Sequence, residues 1–124
     1  MDARLSRRLN RRWNCHLTTT GRKSGKPRSV TIWFVLEEDT LFLTGGAKEP
    51  QWCRNLRACG EARVVIGAVE WMGVAEVIED ADSARRIRQK FVGKYWLARI
   101  ARPFGGYTRS VPVRVSLFEP RENP

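Results

Sequence analysis

Six short segments of this chain carry apolar residues in runs or in alternation, over lengths typical of β-strands. In the last of them, SVPVRVSLF, the residues Val111, Val113 and Val115 fall on one face. β-Branched and aromatic residues dominate the segments, which favours strands over helices. The pattern therefore predicts six strands, at residues 13–20, 30–36, 40–44, 62–67, 70–78 and 110–118.

Two segments between these strands have helical spacing instead. Residues 51–58, QWCRNLRA, follow Pro50, a residue favoured at a helix start, and Gly60 then ends the segment. Residues 80–96 begin with an aspartate, which is a common helix cap. Apolar residues follow it at helical intervals, namely Ala84, Ile87, Phe91 and Tyr95.

The predicted order is β-β-β-α-β-β-α-β, a mainly β chain with two helices and without the regular alternation of a parallel sheet. Six short antiparallel strands favour a small barrel whose edges are closed or covered. The length of 124 residues fits one domain, residues 1–124. Residues 1–11 form a basic N-terminal arm, which is compatible with a short helix or with a solvated segment.

Charge is concentrated in the first quarter of the chain. The net charge is +10, and residues 1–28 hold nine cations against one acid, whereas the other 96 residues carry fourteen cations and twelve acids. This local excess indicates a polyanion, a phosphorylated ligand or an anionic surface as the partner. No apolar run approaches the roughly 20 residues of a membrane span, so we expect a cytoplasmic protein.

Cysteine and histidine usage argues against several kinds of active site. Cys15, Cys53 and Cys59 lack the spacing of a zinc site or a redox pair and are expected to be free thiols. His16 is the single histidine, which disfavours histidine-based metal sites and catalytic triads. We expect no metal, and chemistry supplied by a cofactor.

The stretch TTTGRKSGKPRS, residues 18–29, places two glycines, a proline and four cations in one turn between strands. It is not a nucleotide-binding P-loop, because only three residues separate the glycines and Pro27 follows Lys26. Cationic side chains and free amides in such a turn would suit a phosphate, and a solvated basic hairpin tip is the alternative.

A second glycine-rich stretch, GGAKEPQW, covers residues 45–52. Two glycines allow the backbone to approach a flat ligand closely, and a helix start at Pro50 offers amides to an anion. An ordinary strand-to-helix connection is the alternative.

Together, LTTTGRKSGKPRSV and the later LFLTGGAKEPQWCRNLRA resemble the deazaflavin-dependent nitroreductase family, a branch of the flavin and deazaflavin oxidoreductases. The resemblance covers roughly residues 17–66, and YTRSVPVRV agrees more loosely. It implies a six-stranded antiparallel split β-barrel of the FMN-binding type. In one respect the chain departs from the family pattern, because Ala47 is followed directly by Lys48, without an intervening proline.

The resemblance also implies roles for individual residues. The basic turn would hold the phosphate of the cofactor tail, and the glycine-rich loop would lie along the tricyclic ring. The cofactor-binding residues implied in this way are Arg22, Lys23, Ser24, Lys26 and Arg28 in the turn, Gly45, Gly46, Ala47 and Lys48 in the loop, and Trp52 and Asn55 in the helix that follows.

The implied cofactor is reduced deazaflavin, coenzyme F-420, and the implied activity is hydride transfer to an electron-poor planar substrate such as a quinone, an enone or a nitroaromatic. Tyr107 is the implied catalytic residue, as proton donor or substrate contact, because it lies in the loop before the last strand. Tyr95 and Trp96 are expected either to line the same pocket or to pack in the core.

Other partners are compatible with the sequence. FMN is the alternative cofactor, since it presents a tricycle and a phosphate to the same two loops. A nucleic-acid-binding barrel is a more remote alternative, disfavoured because Trp33 and Phe34 lie in a run typical of a core. A homodimer, and contact of the basic arm with an anionic membrane surface, are further expectations.

Overall fold

A computed structural model describes residues 1–45, 49–95 and 111–122 of the chain. Within these residues the chain forms three helices and seven strands. The helices are α1 (Ala3–Leu9), α2 (Gln51–Ala58) and α3 (Ala81–Lys94). The strands are β1 (Cys15–Thr20), β2 (Pro27–Ile32), β3 (Val35–Glu37), β4 (Thr40–Thr44), β5 (Glu61–Ile66), β6 (Val69–Val77) and β7 (Pro112–Glu122).

The strands form one antiparallel sheet in the order β2-β1-β5-β6-β7-β4-β3. Its two edge strands, β2 and β3, are consecutive in the chain and are separated only by Trp33 and Phe34. Because two residues join the opposite edges, the sheet must curl until those edges meet, which limits the exposure of unpaired strand edges. The prediction of a mainly β, split-barrel fold is therefore confirmed, with seven strands where the sequence predicts six.

The additional strand comes from a break in the segment predicted at residues 30–36. The backbone of Phe34 bonds to side chains of the α3 end: its amide donates to the Tyr95 hydroxyl at 3.0 Å, and its carbonyl accepts from Lys94 Nζ at 2.8 Å. These side chains replace the ladder partners that a continuous strand would need. The apolar run VTIWFVL gives no sign of this break.

The N-terminal arm is a docked helix, which brings the helices to three where two are predicted. The Asp2 side chain caps α1 by accepting from the Arg4 amide at 2.7 Å. Leu9 is buried, and the Ser6 hydroxyl accepts from the Glu38 amide at 2.8 Å. These contacts fasten α1 to the β3–β4 hairpin and leave its arginines on the outer face.

Two buried clusters stabilise the fold by removing apolar surface from water. The larger one fills the curled sheet and contains Leu17, Val64 and Trp71. In the smaller one, Ala84, Ile87 and Phe91 of α3 pack against Val35 and Phe42, as the helical spacing predicts. None of the helices among the described residues is long and apolar enough to cross a membrane.

Candidate cofactor-binding site

The basic turn between β1 and β2 is closed by its own backbone. The Gly21 amide donates to the Lys26 carbonyl, and the Gly25 amide to the Gly21 carbonyl, both at 2.8 Å. Gly25 has a φ of 70°, in the left-handed region that favours glycine. A Cβ at Gly21 would lie 2.6 Å from Ser24 Oγ, so this glycine permits a close approach within the turn.

Helix α2 holds this turn in place through Asn55, which is 4% exposed. Asn55 Oδ1 accepts from the Arg22 amide at 3.2 Å and from Arg22 Nη1 at 3.0 Å. Asn55 Nδ2 donates to Thr19 Oγ1 of β1 at 3.2 Å. The turn and the helix, which are 33 residues apart in sequence, are therefore joined by buried or half-buried hydrogen bonds.

A cleft of about 620 Å³ lies between the turn, β2 and the first half of α2. The structure brings six of the predicted cofactor-binding residues together there: Arg22, Lys23, Ser24, Arg28, Trp52 and Asn55. Lys26 is in the same turn but does not line the cleft. Gln51 and Val30 also line it. Neither residue was predicted, although the position of Gln51 just after Pro50 was a signal for Gln51.

The electrostatics of this cleft favour an anion. Among the described residues, no acidic side chain forms an ion pair with Arg22, Lys23, Lys26 or Arg28. Within that same part of the chain, the backbone amides of Lys23 and Ser24 have no acceptor. Uncompensated cations beside successive free amides are the donor set that binds phosphate. The residues present therefore fit a phosphate group.

The glycine-rich loop is described only at its ends. Gly45 follows directly after β4, whereas Gly46, Ala47 and Lys48 lie outside the described residues. At the far end, Glu49 accepts from Arg57 Nε at 2.5 Å and from Cys53 Sγ at 3.3 Å. The Arg57 guanidinium holds the pKa of Glu49 below its usual range.

The same arginine also donates to Glu79 at 2.5 Å. Arg57 therefore joins Glu49, just before α2, to Glu79, just before α3. This network could not be predicted from the sequence, because Glu49 and Glu79 are 8 and 22 residues from Arg57 and follow no motif.

The cysteines are free, as predicted. Burial raises the pKa of the Cys15 thiol to about 12, and burial with the neighbouring Glu49 carboxylate raises that of Cys53 to about 12. Both therefore stay protonated at neutral pH and are poor nucleophiles. Within the described residues, no group of three histidine, cysteine or acidic side chains could hold a metal ion.

The predicted aromatic site residues have different outcomes. Tyr107 and Trp96 lie outside the described residues. Tyr95 is fully buried, stacks on Trp33 at 4.3 Å between ring centroids, and donates through its hydroxyl to a backbone carbonyl, that of Phe34 at 2.8 Å or that of Trp13 at 3.0 Å. Of the two roles predicted for Tyr95, lining the pocket or packing in the core, the second is therefore observed.

A family model described as F-420H(2)-dependent quinone reductase matches residues 1–117. None of the functionally curated proteins matches the chain. Among solved structures, an F-420-H2 dependent reductase (FDR-A) is 26% identical, with a TM-score of 0.66, over 86% of this chain and 95% of that one.

Two further structures share the fold at lower identity. A structure named F-420 reductase is 20% identical, with a TM-score of 0.66, over 93% of this chain and 94% of that one. A conserved hypothetical protein from Mycobacterium tuberculosis is 21% identical, with a TM-score of 0.73, over 98% of this chain and 82% of that one.

Proposed function

The chain belongs to the F-420H(2)-dependent quinone reductase family, and from that premise we propose that the cleft between the basic turn and α2 holds the phosphate of its deazaflavin. Membership confirms two expectations from the sequence, namely that the protein is an oxidoreductase and that its cofactor is a deazaflavin. The observation that carries the proposal is the set of unpaired cations beside two free amides at one end of the cleft.

In this proposal Arg22, Lys23 and Arg28 bind the phosphate through charge-assisted hydrogen bonds, with Ser24 and Lys26 beside them. Each such bond contributes roughly 1.5 to 3 kcal/mol, so that two or three of them contribute roughly 3 to 9 kcal/mol, part of which offsets the entropic cost of association. The hairpin register places Arg28 opposite Thr19, and Arg28 lines the cleft.

The ring end of the cofactor is assigned to Gly45, Gly46, Ala47 and Lys48. Support comes from the elements on either side: Gly45 directly follows β4, and α2 begins at Gln51 with Trp52 in the wall of the cleft. The cofactor, when bound, supplies a hydride. The chain binds it, orients it and excludes water from the reacting face.

Tyr107 is proposed as the proton donor to the reduced product. Tyr107→Phe removes the phenolic proton and keeps the ring, so we expect lower kcat with nearly unchanged cofactor affinity. Loss of cofactor binding or of folding in this variant would instead make Tyr107 a binding or packing residue. Tyr95→Phe is the comparison, because the Tyr95 hydroxyl is bonded in the core and its removal is expected to lower stability.

We propose a quinone as the substrate, since the family is described by that activity. Enones and nitroaromatics share its electron-poor plane and remain substrates to be screened beside it. We propose a cytoplasmic location, as the sequence predicts. A homodimer stays a prediction that sedimentation of the purified protein would test.

An anionic membrane surface is the proposed site of action, because quinones with apolar tails reside in bilayers. Five exposed arginines, none in an ion pair with a described acid, occupy α1 and the residues after it: Arg4, Arg7, Arg8, Arg11 and Arg12. Beside them Trp13 is 47% exposed, and a tryptophan next to cations is typical of a bilayer interface.

Vesicle sedimentation tests this surface. We expect binding to vesicles with anionic lipid, no binding to zwitterionic ones, and loss of binding when Arg7, Arg8 and Arg11 are changed to Gln. Equal binding to both kinds of vesicle, or stronger binding to single-stranded nucleic acid than to anionic vesicles, would contradict the proposal.

The phosphate assignment is tested by measuring the Kd of oxidised deazaflavin for Lys23→Ala. We expect affinity to fall about tenfold, the loss of one charge-assisted bond. Arg86→Ala is the matched control, since it removes one exposed cation from α3, away from the cleft. Unchanged affinity in Lys23→Ala, or an equal loss in both variants, would overturn the assignment.

A further inference from the structure

We propose that Asn55 is a positioning residue: it fixes the Arg22 guanidinium in the phosphate end of the cleft and does not itself bind the cofactor. The inference rests on the proposed role of Arg22 and replaces direct binding, the role that resemblance implies for Asn55.

The first observation is how Asn55 uses its amide. An arginine has no acceptor, so the Asn55 atom 3.0 Å from Arg22 Nη1 and 3.2 Å from the Arg22 amide must be the oxygen. The nitrogen then donates to Thr19 Oγ1. Three of the four hydrogen bonds that the amide can form lie within the protein, and with 4% of the residue exposed little of it is left for a ligand.

The second observation is the contrast between the two partners. Arg22 is an exposed side chain on a hairpin, which would lose roughly 2 kcal/mol of rotamer entropy if it were ordered only on binding. One of the five guanidinium N–H groups bonds to Asn55. Because Arg22 lines the cleft, the remaining four are the donors that a ligand there could use. A buried amide that orders this guanidinium beforehand lowers the cost of binding an anion.

The third observation is the other anchor of Asn55. Thr19 is 2% exposed and is the register partner of Arg28 across the hairpin. A single side chain of α2 is therefore bonded directly to one proposed phosphate ligand and to the strand residue opposite another. Asparagine is a poor helix former, so its place in the middle of α2 has no local advantage and is explained by these contacts.

A double-mutant cycle on the Kd of oxidised deazaflavin tests the inference. Asn55→Leu removes the amide, Arg22→Met removes the guanidinium, and the double variant removes both. If Asn55 acts through Arg22, each single change weakens binding about tenfold, and the double change is barely weaker than Arg22→Met alone. Gln89→Leu is the matched control, because it removes an exposed amide from α3, away from the cleft, and is expected to leave Kd unchanged.

The outcomes separate this inference from the proposed function. Unchanged binding in Arg22→Met would remove the premise, namely the phosphate role of Arg22. Weaker binding in Arg22→Met with unchanged binding in Asn55→Leu would overturn the inference alone. Losses that multiply in the double variant would also overturn it, because they would show that Asn55 contributes independently of Arg22.

Asn55→Asp covers the case in which Asn55→Leu does not fold. A carboxylate keeps the shape and the acceptor atoms, but pairs with the Arg22 charge. We expect weaker binding and a shallower dependence of Kd on salt, whereas a purely structural role would leave the salt dependence unchanged. Affinity and salt dependence both equal to those of the parent protein would overturn the inference.

Discussion

Two groups of cations lie at helix α2, and they differ in whether acidic side chains pair with them. On one side, Arg22 and its neighbours in the turn are exposed and lack acidic partners among the described residues, and Arg22 is held by the neutral amide of Asn55. On the other side, Arg57 is paired with both Glu49 and Glu79. Paired charges hold elements of the fold together, whereas oriented but unpaired ones are available to a ligand.

We expect the largest effect when the unpaired charges are removed together. In a variant with Arg22, Lys23 and Arg28 all changed to Gln, we expect deazaflavin affinity to fall at least about a hundredfold, since several charge-assisted bonds are lost. Urea unfolding should show no loss of stability, because repulsion within the turn is relieved. A variant that binds normally, or one that unfolds, would contradict the contrast.

Lys94 belongs to neither of these two groups of cations. Lys94 is half-buried, with Nζ 2.8 Å from the Phe34 carbonyl and 3.6 Å from the centroid of the Phe34 ring. Burial lowers the pKa of Lys94 to about 8. Between that value and its ordinary value, the unfolded chain holds more protons than the folded one, so this group makes stability rise with pH.

We therefore expect the free energy of unfolding of the parent, relative to Lys94→Met, to increase by about 1 kcal/mol between pH 7.5 and pH 10, the partial exposure of the side chain limiting the effect through solvent screening. Cys15 and Tyr95, whose pKa values burial raises to about 12, act in the opposite direction, but they are present in both proteins. Urea titrations at the two pH values measure the difference, and a constant or decreasing difference would contradict the expectation.

We expect the smallest effect on stability and on cofactor affinity when the paired cation, Arg57, is changed. Arg57→Met should lower the free energy of unfolding by about 0.5 kcal/mol, because its ion pairs are partly exposed, and should change deazaflavin affinity by less than about threefold. Glu79→Gln is the control that breaks one of the two pairs. A tenfold loss of affinity in Arg57→Met would mean that Glu49 and the glycine-rich loop depend on this network, and that pairing does not separate structure from binding.

Local signals in the sequence predicted the elements around the cleft. Pro50 and the apolar side of QWCRNLRA gave α2 its observed bounds, and the glycines of the basic turn gave the hairpin. Six of the residues implied by resemblance also converged on the cleft, whereas Lys26 and Gly45 do not line it and the others lie outside the described residues.

What could not be predicted depends on contacts between distant residues. The break at Phe34 needs Tyr95, which is 61 residues away, and the role inferred for Asn55 needs Arg22, which is 33 residues away. Neither pair is part of a periodic pattern. The docking of α1 likewise depends on Ser6 and Asn10 side chains that accept from the amides of Glu38 and Leu36.

A fluorescence titration of the parent protein with oxidised deazaflavin and with FMN, at two salt concentrations, tests whether the turn binds the phosphate. We expect tight binding of deazaflavin that weakens as salt rises, and weaker binding of FMN, which has a shorter anionic tail. Deazaflavin binding that is insensitive to salt, or absent, would contradict the claim that the unpaired cations of the turn hold the phosphate of the cofactor.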